Sequence, residues 1–290
     1  MSSLQSNNAG RPQRNETANE MARPALSLGA SIVLYRTRIE RVAALLDQLL
    51  EQGAERVYLV DNSPRSFDTF GDWTPPPRVV VIRTGINLGY GGGHNIAIDD
   101  SVLRHEYHLI CNPDIALGEN TLATLIRALI DHPQVGLCMP RVVGTDSRLH
   151  YMCKRSPLLL DFVATLVSTT QWGARRRADY EMRHRDYESA MQVECLSGCF
   201  MLFRASVLRK LRGFDDGYFL YFEDFDLSKR AAALGENLYW PAAQVVHEHG
   251  RAHRHSWRLR LVFMRSAIRY FNKWGWFAAR PIAREQGSSR

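Results

Sequence analysis

The five cysteines, Cys111, Cys138, Cys153, Cys195 and Cys199, form no CxxC pair and are odd in number. A disulfide framework is therefore not expected, and buried reduced thiols of a cytosolic protein are. Long apolar runs are missing as well. Crossing a bilayer takes ~20 apolar residues, and the nearest run, PLLLDFVATLV at 157–167, is short and carries Asp161. Residues 1–24 have no apolar core, so they read as a disordered tail and no secretory signal is visible. A third glycine is absent from NLGYGGGHN (87–95), where a dinucleotide fingerprint GxGxxG would need it and His94 stands instead. There is no internal repeat and no recognised DNA- or RNA-binding motif.

What is present is ordinary globular composition, 45% hydrophobic and 23% charged over 290 residues, which suffices for one large domain or two small ones. Lys and Arg exceed Asp and Glu by 37 to 30, a formal charge of +7. That surplus suits an anionic partner, be it nucleic acid, a sugar nucleotide or a membrane surface, and equally suits a basic solvated exterior.

Strand and helix patterns alternate along the first half. LGASIVLY (28–35), RVYLV (56–60), RVVVIR (78–83), YHLIC (107–111) and VGLCMP (135–140) are short apolar runs that read as strands. Between them, TRIERVAALLDQLLEQG places Ile39, Val42, Leu46 and Leu49 on one helical face and stops at Gly53. GGHNIAIDDSVL (92–103) and NTLATLIRALIDHP are the further helices. This alternation predicts an α/β fold with a mostly parallel sheet flanked by helices, and ligands in such sheets bind beyond the carboxyl ends of the strands. The polar clusters DNS and NPD stand at those ends.

Beyond residue 140 the alternation weakens. Residues 141–192 read as an irregular insertion with helical pieces, including the basic stretch GARRRADYEMRHRDYE. A strand running into a short helix (193–211), a helix at 224–235 and a short strand at 242–250 follow. Residues 256–274 form a basic amphipathic helix with Trp257, Leu261, Met264, Ile268 and Phe271 on one face. Two readings of that helix stand: peripheral contact with an anionic membrane, or packing on the catalytic domain with its arginines in water. The resulting division is 1–26 tail, 27–250 main α/β domain, and 251–290 C-terminal helix and tail.

Several residues are candidates for chemistry, each beside a plainer alternative. Asp61 can accept a pyrimidine N–H or close an Asx turn. The glycine loop between Asn87 and Asn95 can cradle an anionic ligand at a helix N-terminus or be a bare turn. Asp114 can reach a hard divalent cation or cap a turn. His247 and His249, two apart on a strand, can share a metal or form a surface cluster. In YFLYFEDFDLSKR (218–230), Glu223, Asp224 and Asp226 stand among aromatics. The helix dipole accounts for one acid there. A carboxylate on a partly apolar wall gains basicity by desolvation and suits a general base.

In this order, VDNS, NLGYGGGHN, NPD, LSGCFMLFR, GFDDGYFLYFEDFDLSKR and VVHEHG resemble the inverting family-2 glycosyltransferases of the GT-A fold, in their bacterial rhamnosyltransferase-like branch. The resemblance runs from about residue 28 to about 250. It implies a Rossmann-like GT-A sheet with an acceptor-side insertion, and transfer of rhamnose or a related deoxyhexose from a dTDP- or UDP-linked donor. The acceptor it implies is a glycan or polyprenyl-linked hydroxyl in cell-surface polysaccharide synthesis. It assigns Asp61 to the base, and Asn87, Gly89, Asn95, Asn112 and Asp114 to the nucleotide sugar. Asp114 and His247 fall to a divalent cation, Mg or Mn, and Asp224, with Glu223 beside it, to the catalytic base. The departure is Asn112, where the usual DxD element has its first acid. A nicotinamide-dependent oxidoreductase and a nucleic-acid-binding protein are the competing readings, from the partial glycine motif and the basic charge.

Overall fold

The computed structural model describes residues 27–248 and 257–278. The expected tail at 1–26 and His249 lie outside the described residues. The elements, in order, are β1 (Leu28–Leu34), α1 (Ala43–Glu51), β2 (Arg56–Asp61), β3 (Val79–Arg83), α2 (Gly89–Arg104), β4 (Tyr107–Cys111), β5 (Ile115–Leu117), α3 (Thr121–Asp131) and β6 (Val135–Val143). There follow β7 (Cys153–Lys154), α4 (Leu159–Leu166), α5 (Gln171–Tyr180), β8 (Met191–Gln192), β9 (Cys195–Leu196), β10 (Phe200–Arg204), α6 (Ala205–Leu211), α7 (Glu223–Leu234), β11 (Glu236–His247) and α8 (Trp257–Trp274).

One sheet runs β3-β2-β1-β4-β10-β6-β11-β5, with β8 pairing on β11. The pairs β1–β2, β2–β3, β1–β4 and β6–β11 are parallel. Strands β2 and β3 extend to one side of β1 while β4 lies on the other, so the chain reverses its direction of winding there and leaves a crevice at the carboxyl ends. Helices α2, α6 and α7 pack on one another and over one face, and α1 and α3 over the other. The strands between them are almost wholly buried, as expected of a sheet covered on both sides.

Three features depart from the sequence reading. Strand β10 is antiparallel to both neighbours, β4 and β6, in the middle of the sheet. Strand β11 is twelve residues long, with its ladder to β6 interrupted between Trp240 and Gln244 where Pro241 removes a donor. The three-residue β5 was not foreseen; it pairs antiparallel with the end of β11, setting Ile115 opposite His247.

His94, the residue that breaks the dinucleotide fingerprint, is buried under α2, its Nδ1 2.7 Å from Ser31 Oγ. Ser31 Oγ also lies 2.9 Å from His108 Nε2, whose Nδ1 meets Ser101 Oγ at 2.7 Å. Position 94 thus fastens α2 to β1 and β4. Burial pushes His108 down to about 3, so this chain of side chains is neutral at physiological pH.

A second, smaller core is aromatic. Tyr218 and Phe222, ahead of α7, are buried against Ala267, Tyr270 and Phe271 of α8, with Phe162 of α4 packed on them. The inward face of α8 is therefore Ser266, Ala267, Tyr270 and Phe271. Of the apolar face predicted for this helix, only Phe271 is buried, and Trp257, Leu261, Met264 and Ile268 are exposed. The flat rings of α8 and the aromatic segment before α7 interlock, and that match outweighs the more regular aliphatic stripe.

Candidate active site

Beyond the carboxyl end of β4 lies a cleft of about 560 Å³, lined among others by Asn112, Tyr90, Gly198, Glu223, Asp224 and His247. Its acids come from the first turn of α7. The two residues before them, Tyr221 and Phe222, have φ of 70° and 67°. Bulky residues there cost roughly 1–3 kcal/mol each, and the consequence is a sharp turn that delivers two consecutive carboxylates to the cleft. Leu220 and Tyr221 belong to the cleft wall, whereas Tyr218 and Phe222 turn into the α8 core and Phe219 is exposed. The aromatic run is thus divided between cleft wall and core.

Asp224 Oδ2 accepts the Gly198 N–H at 2.9 Å and Oδ1 accepts the Phe225 N–H at 2.9 Å. Burial raises its pKa, and these two donors act in the opposite sense by favouring the anion. Glu223 is 5% exposed and its Oε2 has no hydrogen-bond partner among the described residues. Burial, then the adjacent Asp224 charge, pushes Glu223 up to about 8. Within the pair, the two N–H donors favour the anion on Asp224, while burial and that neighbouring charge favour the protonated form of Glu223.

Asp226 does not share this site. It is fully buried and faces α8, accepting from Trp274 Nε1 at 2.8 Å, from Lys273 Nζ at 2.7 Å and from Arg230 Nε at 2.8 Å.

The isolation of Glu223 has a measurable cost. Its ordinary value is 4.5, so between about 4.5 and 8 the unfolded chain is ionised where the folded chain is not, and stability falls as pH rises through that window. Glu223→Gln is expected to raise stability at pH 7 by on the order of 2–3 kcal/mol and to change nothing at pH 4.5. Urea unfolding at the two pH values checks this; an equal effect at both would assign the difference to packing.

On the opposite side of the cleft, antiparallel pairing of β10 with β4 continues past the strands as Asn112 N–H to Cys199 O, 2.9 Å, which brings Gly198 and Cys199 beside the NPD turn. Pairing of β5 with β11 continues as Glu248 N–H to Asp114 O, 2.9 Å. That pairing sets His247 Nε2 3.2 Å from Asp114 Oδ1, with Asn112 Nδ2 at 3.5 Å. Burial opposes the imidazolium, yet Asp114 and Cys199 outweigh it and raise His247 to about 10. Among the described residues no three His, Cys, Asp or Glu side chains gather as a metal cluster. An oxygen donor and an imidazole are nevertheless adjacent, which suits a borderline or hard divalent ion that takes further oxygens from a ligand.

The remaining predicted residues lie outside the cleft lining. Asp61 ends β2, and its Oδ1 accepts the Ser63 N–H at 2.9 Å, the Asx turn. Asn87 Oδ1 accepts from Gly89 N–H at 3.0 Å. Gly89 has φ 78°, and a Cβ on it would come 1.9 Å from the Phe219 carbonyl oxygen, so what approaches this glycine is the segment leading to Glu223. Asn95 is occupied in holding the 214–216 turn: Oδ1 accepts from Phe214 N–H at 2.8 Å, and Nδ2 donates to Phe214 O and Asp216 Oδ1. Gly89 and Asn95 thus pack α2 against the segment that leads to the acids.

Some cleft residues went unnoticed in the sequence. Tyr90, inside the glycine run, donates its hydroxyl to Gly198 O. Gly198 fits between Tyr90 and Asp224, with a Cβ there 3.2 Å from Asp224 Cβ. Lys154, Arg177 and Arg183 reach the cleft from the insertion, as the basic stretch had signalled only in general terms.

The family profile described as glycosyltransferase like family 2 matches residues 32–264. The chain belongs to this family. It is similar to the N-acetylglucosaminyl-diphospho-decaprenol L-rhamnosyltransferase of Mycobacterium tuberculosis, 28% identical over 72% of this chain and 71% of that protein. It is also similar to rhamnosyltransferase WbbL of Escherichia coli K12, 30% identical over 54% of this chain and 61% of that one. Among solved structures it resembles GalNAc-T7 with UDP, GalNAc and Mn2+, at a TM-score of 0.60 and 12% identity, covering 87% of this chain and 48% of that one. The mannosyltransferase PcManGT of Pyrobaculum calidifontis, in complex with GDP-Man and Mn2+, matches at 0.52 and 18%, covering 85% and 63%. The fold of this family-2 glycosyltransferase is thus GT-A, as the motifs implied, and neither competing reading finds support. No helix among its described residues is long and apolar enough to cross a membrane.

Proposed function

We propose that this family-2 glycosyltransferase moves rhamnose, or a related deoxyhexose, from a dTDP- or UDP-linked donor to a hydroxyl of a lipid-linked glycan acceptor, with inversion. The observation that carries the mechanism is the Glu223–Asp224 pair in the cleft wall, with the Asp224 carboxylate held by the Gly198 and Phe225 N–H groups. The names of the mycobacterial and E. coli relatives support the choice of sugar, and the decaprenol-linked acceptor of the former supports a lipid carrier. Such an acceptor brings the enzyme to a membrane surface.

In this reading Asp224 takes the proton of the acceptor hydroxyl as its oxygen attacks the anomeric carbon, and the nucleoside diphosphate leaves on the opposite face. Gly198 N–H and Phe225 N–H hold the carboxylate in place for that transfer. Asp114 and His247, with Asn112 beside them, are the residues that would hold a Mg or Mn ion. When bound there, such an ion would supply positive charge against the leaving diphosphate. Asp61, the last residue of β2, is the carboxylate assigned here to the pyrimidine base, and its position at a strand's carboxyl end supports that role.

The test is a donor screen: incubate the protein with dTDP-linked rhamnose, UDP-linked hexoses and GDP-linked mannose plus Mn2+, and measure slow release of nucleoside diphosphate. A dTDP- or UDP-linked sugar is expected to be hydrolysed at least about tenfold faster than the GDP-linked one. Equal rates for all donors, or preference for GDP-linked mannose, would overturn the donor assignment.

A further inference from the structure

Among the described residues, one face of α8 is left exposed. On α8, Trp257, Leu261, Met264 and Ile268 are 65, 60, 55 and 47% exposed. Their spacing of four, three and four puts them in one stripe along the axis, turned away from the aromatic core that holds the helix. The adjacent helix α4 extends the surface: its Phe162 ring packs on Phe263 and Phe271 of α8, while Leu160 and Val163 face outward at 39% exposure each. Two packed helices thus present apolar side chains to the exterior.

The charge around the stripe is of one sign. Residues 257–274 hold four arginines and a lysine and no acid. Arg269 and Lys273 are spoken for by Asp215 and, for Lys273, Asp226. Helical geometry sets Arg258 and Arg265 along one border of the stripe and Arg260 along the other. None of these three pairs with a carboxylate among the described residues. An apolar stripe bordered by unpaired arginines complements an anionic lipid surface, with aliphatic and indole groups among acyl chains and guanidinium groups at phosphate level. A second copy meeting this face about a two-fold axis would set arginine against arginine, which disfavours self-association.

The position relative to the cleft fits the same occupant. Ser266 Oγ of α8 donates to Leu220 O at 2.8 Å, and the Phe263 ring lies 5.5 Å from that of Tyr221. Leu220 and Tyr221 line the cleft, so the face backs directly onto the wall where the acceptor would enter.

We infer that the exposed α8 stripe, with Leu160 and Val163 of α4, is the surface by which the enzyme docks on an anionic bilayer beside the mouth of its cleft. The inference deepens the reading of a lipid-linked acceptor and rests on it only for the direction of acceptor entry. Flotation with vesicles of phosphatidylcholine and phosphatidylglycerol (7:3), and of phosphatidylcholine alone, tests it on the full chain. The wild type is expected to float with the anionic vesicles, and to be released as salt is raised. Leu261→Glu/Ile268→Glu and, separately, Arg258→Glu/Arg260→Glu are each expected to lower the bound fraction by about tenfold or more. Both substitute exposed residues, so melting temperature and slow donor hydrolysis stay unchanged. Wild-type protein that ignores anionic vesicles, or variants that bind like wild type, would overturn the inference. So would light scattering that shows a dimer dissolved by the same substitutions. A wild type that binds vesicles but hydrolyses no nucleotide sugar would support the surface and count against the proposed reaction instead.

Discussion

Asp224→Asn is expected to lower kcat/KM for transfer by about 10²–10⁴-fold, the ordinary contribution of a positioned general base. Donor affinity is expected to hold, because the nucleotide end of the proposed site lies across the cleft at Asn112 and His247, the latter 3.2 Å from Asp114. The substitution keeps the volume and one acceptor oxygen, so either the Gly198 or the Phe225 N–H keeps its partner while the other faces an amide nitrogen. A modest fall in melting temperature should accompany the kinetic loss and be far too small to account for it. In the wild type, burial lifts Asp224 above its ordinary 3.8. The activity should therefore fall on the acid side at a pH above that of a solvated carboxylate, as Asp224 takes up its proton. Single-turnover transfer across pH, with donor affinity measured by calorimetry, gives both quantities. Full turnover by Asp224→Asn would remove Asp224 from the mechanism and turn attention to Glu223.

Asp226→Ala, two residues on, should fail in a different way. This acid receives an indole N–H, a lysine and an arginine inside the protein, and joins α7 to α8. Removing one member of a buried charged network leaves its partners desolvated, typically at about 3–5 kcal/mol. Arg230 retains bonds to the Leu211 and Gly213 carbonyls, and Lys273 retains Asp215. The expected loss is therefore about 3 kcal/mol, the low end of that range. Urea unfolding should show it, and limited proteolysis should cut at α8 before the sheet. Undiminished stability, with transfer abolished, would instead return Asp226 to the candidate bases. The two substitutions separate roles that neighbouring, chemically identical side chains could have shared.

The sheet was legible because its signals are local. Short apolar runs broken by glycine-stopped helices need no knowledge of distant residues, and β1, β2, β3, β4 and the start of β6 fall where those runs do. The acids of the site were legible for a related reason: a carboxylate pair after an aromatic run is anomalous in any environment. Strand β5 escaped because three residues carry no period, and the antiparallel insertion of β10 escaped because apolar runs carry no direction. The contacts of Asn95 and Gly89 were hidden by their own motif. A glycine loop at a helix start looks the same whether a ligand or the protein's own Phe219 carbonyl approaches it. Tyr90 and Gly198, which frame Asp224, became visible only when the loop and the strand end met.

By itself, the order of residues determined the α/β class, the family and the identity of the acid-bearing turn. Each of these depends on periodicity or on short contiguous motifs, which backbone geometry and side-chain chemistry read locally. The tertiary structure alone decided which acid faces the cleft and which is consumed by α8, that Asp114 meets His247, and which side of α8 is left outside. Those outcomes depend on which distant surfaces pack best. That competition, of aromatic rings against an aliphatic stripe and of one strand register against another, is settled by shape and burial across the whole fold.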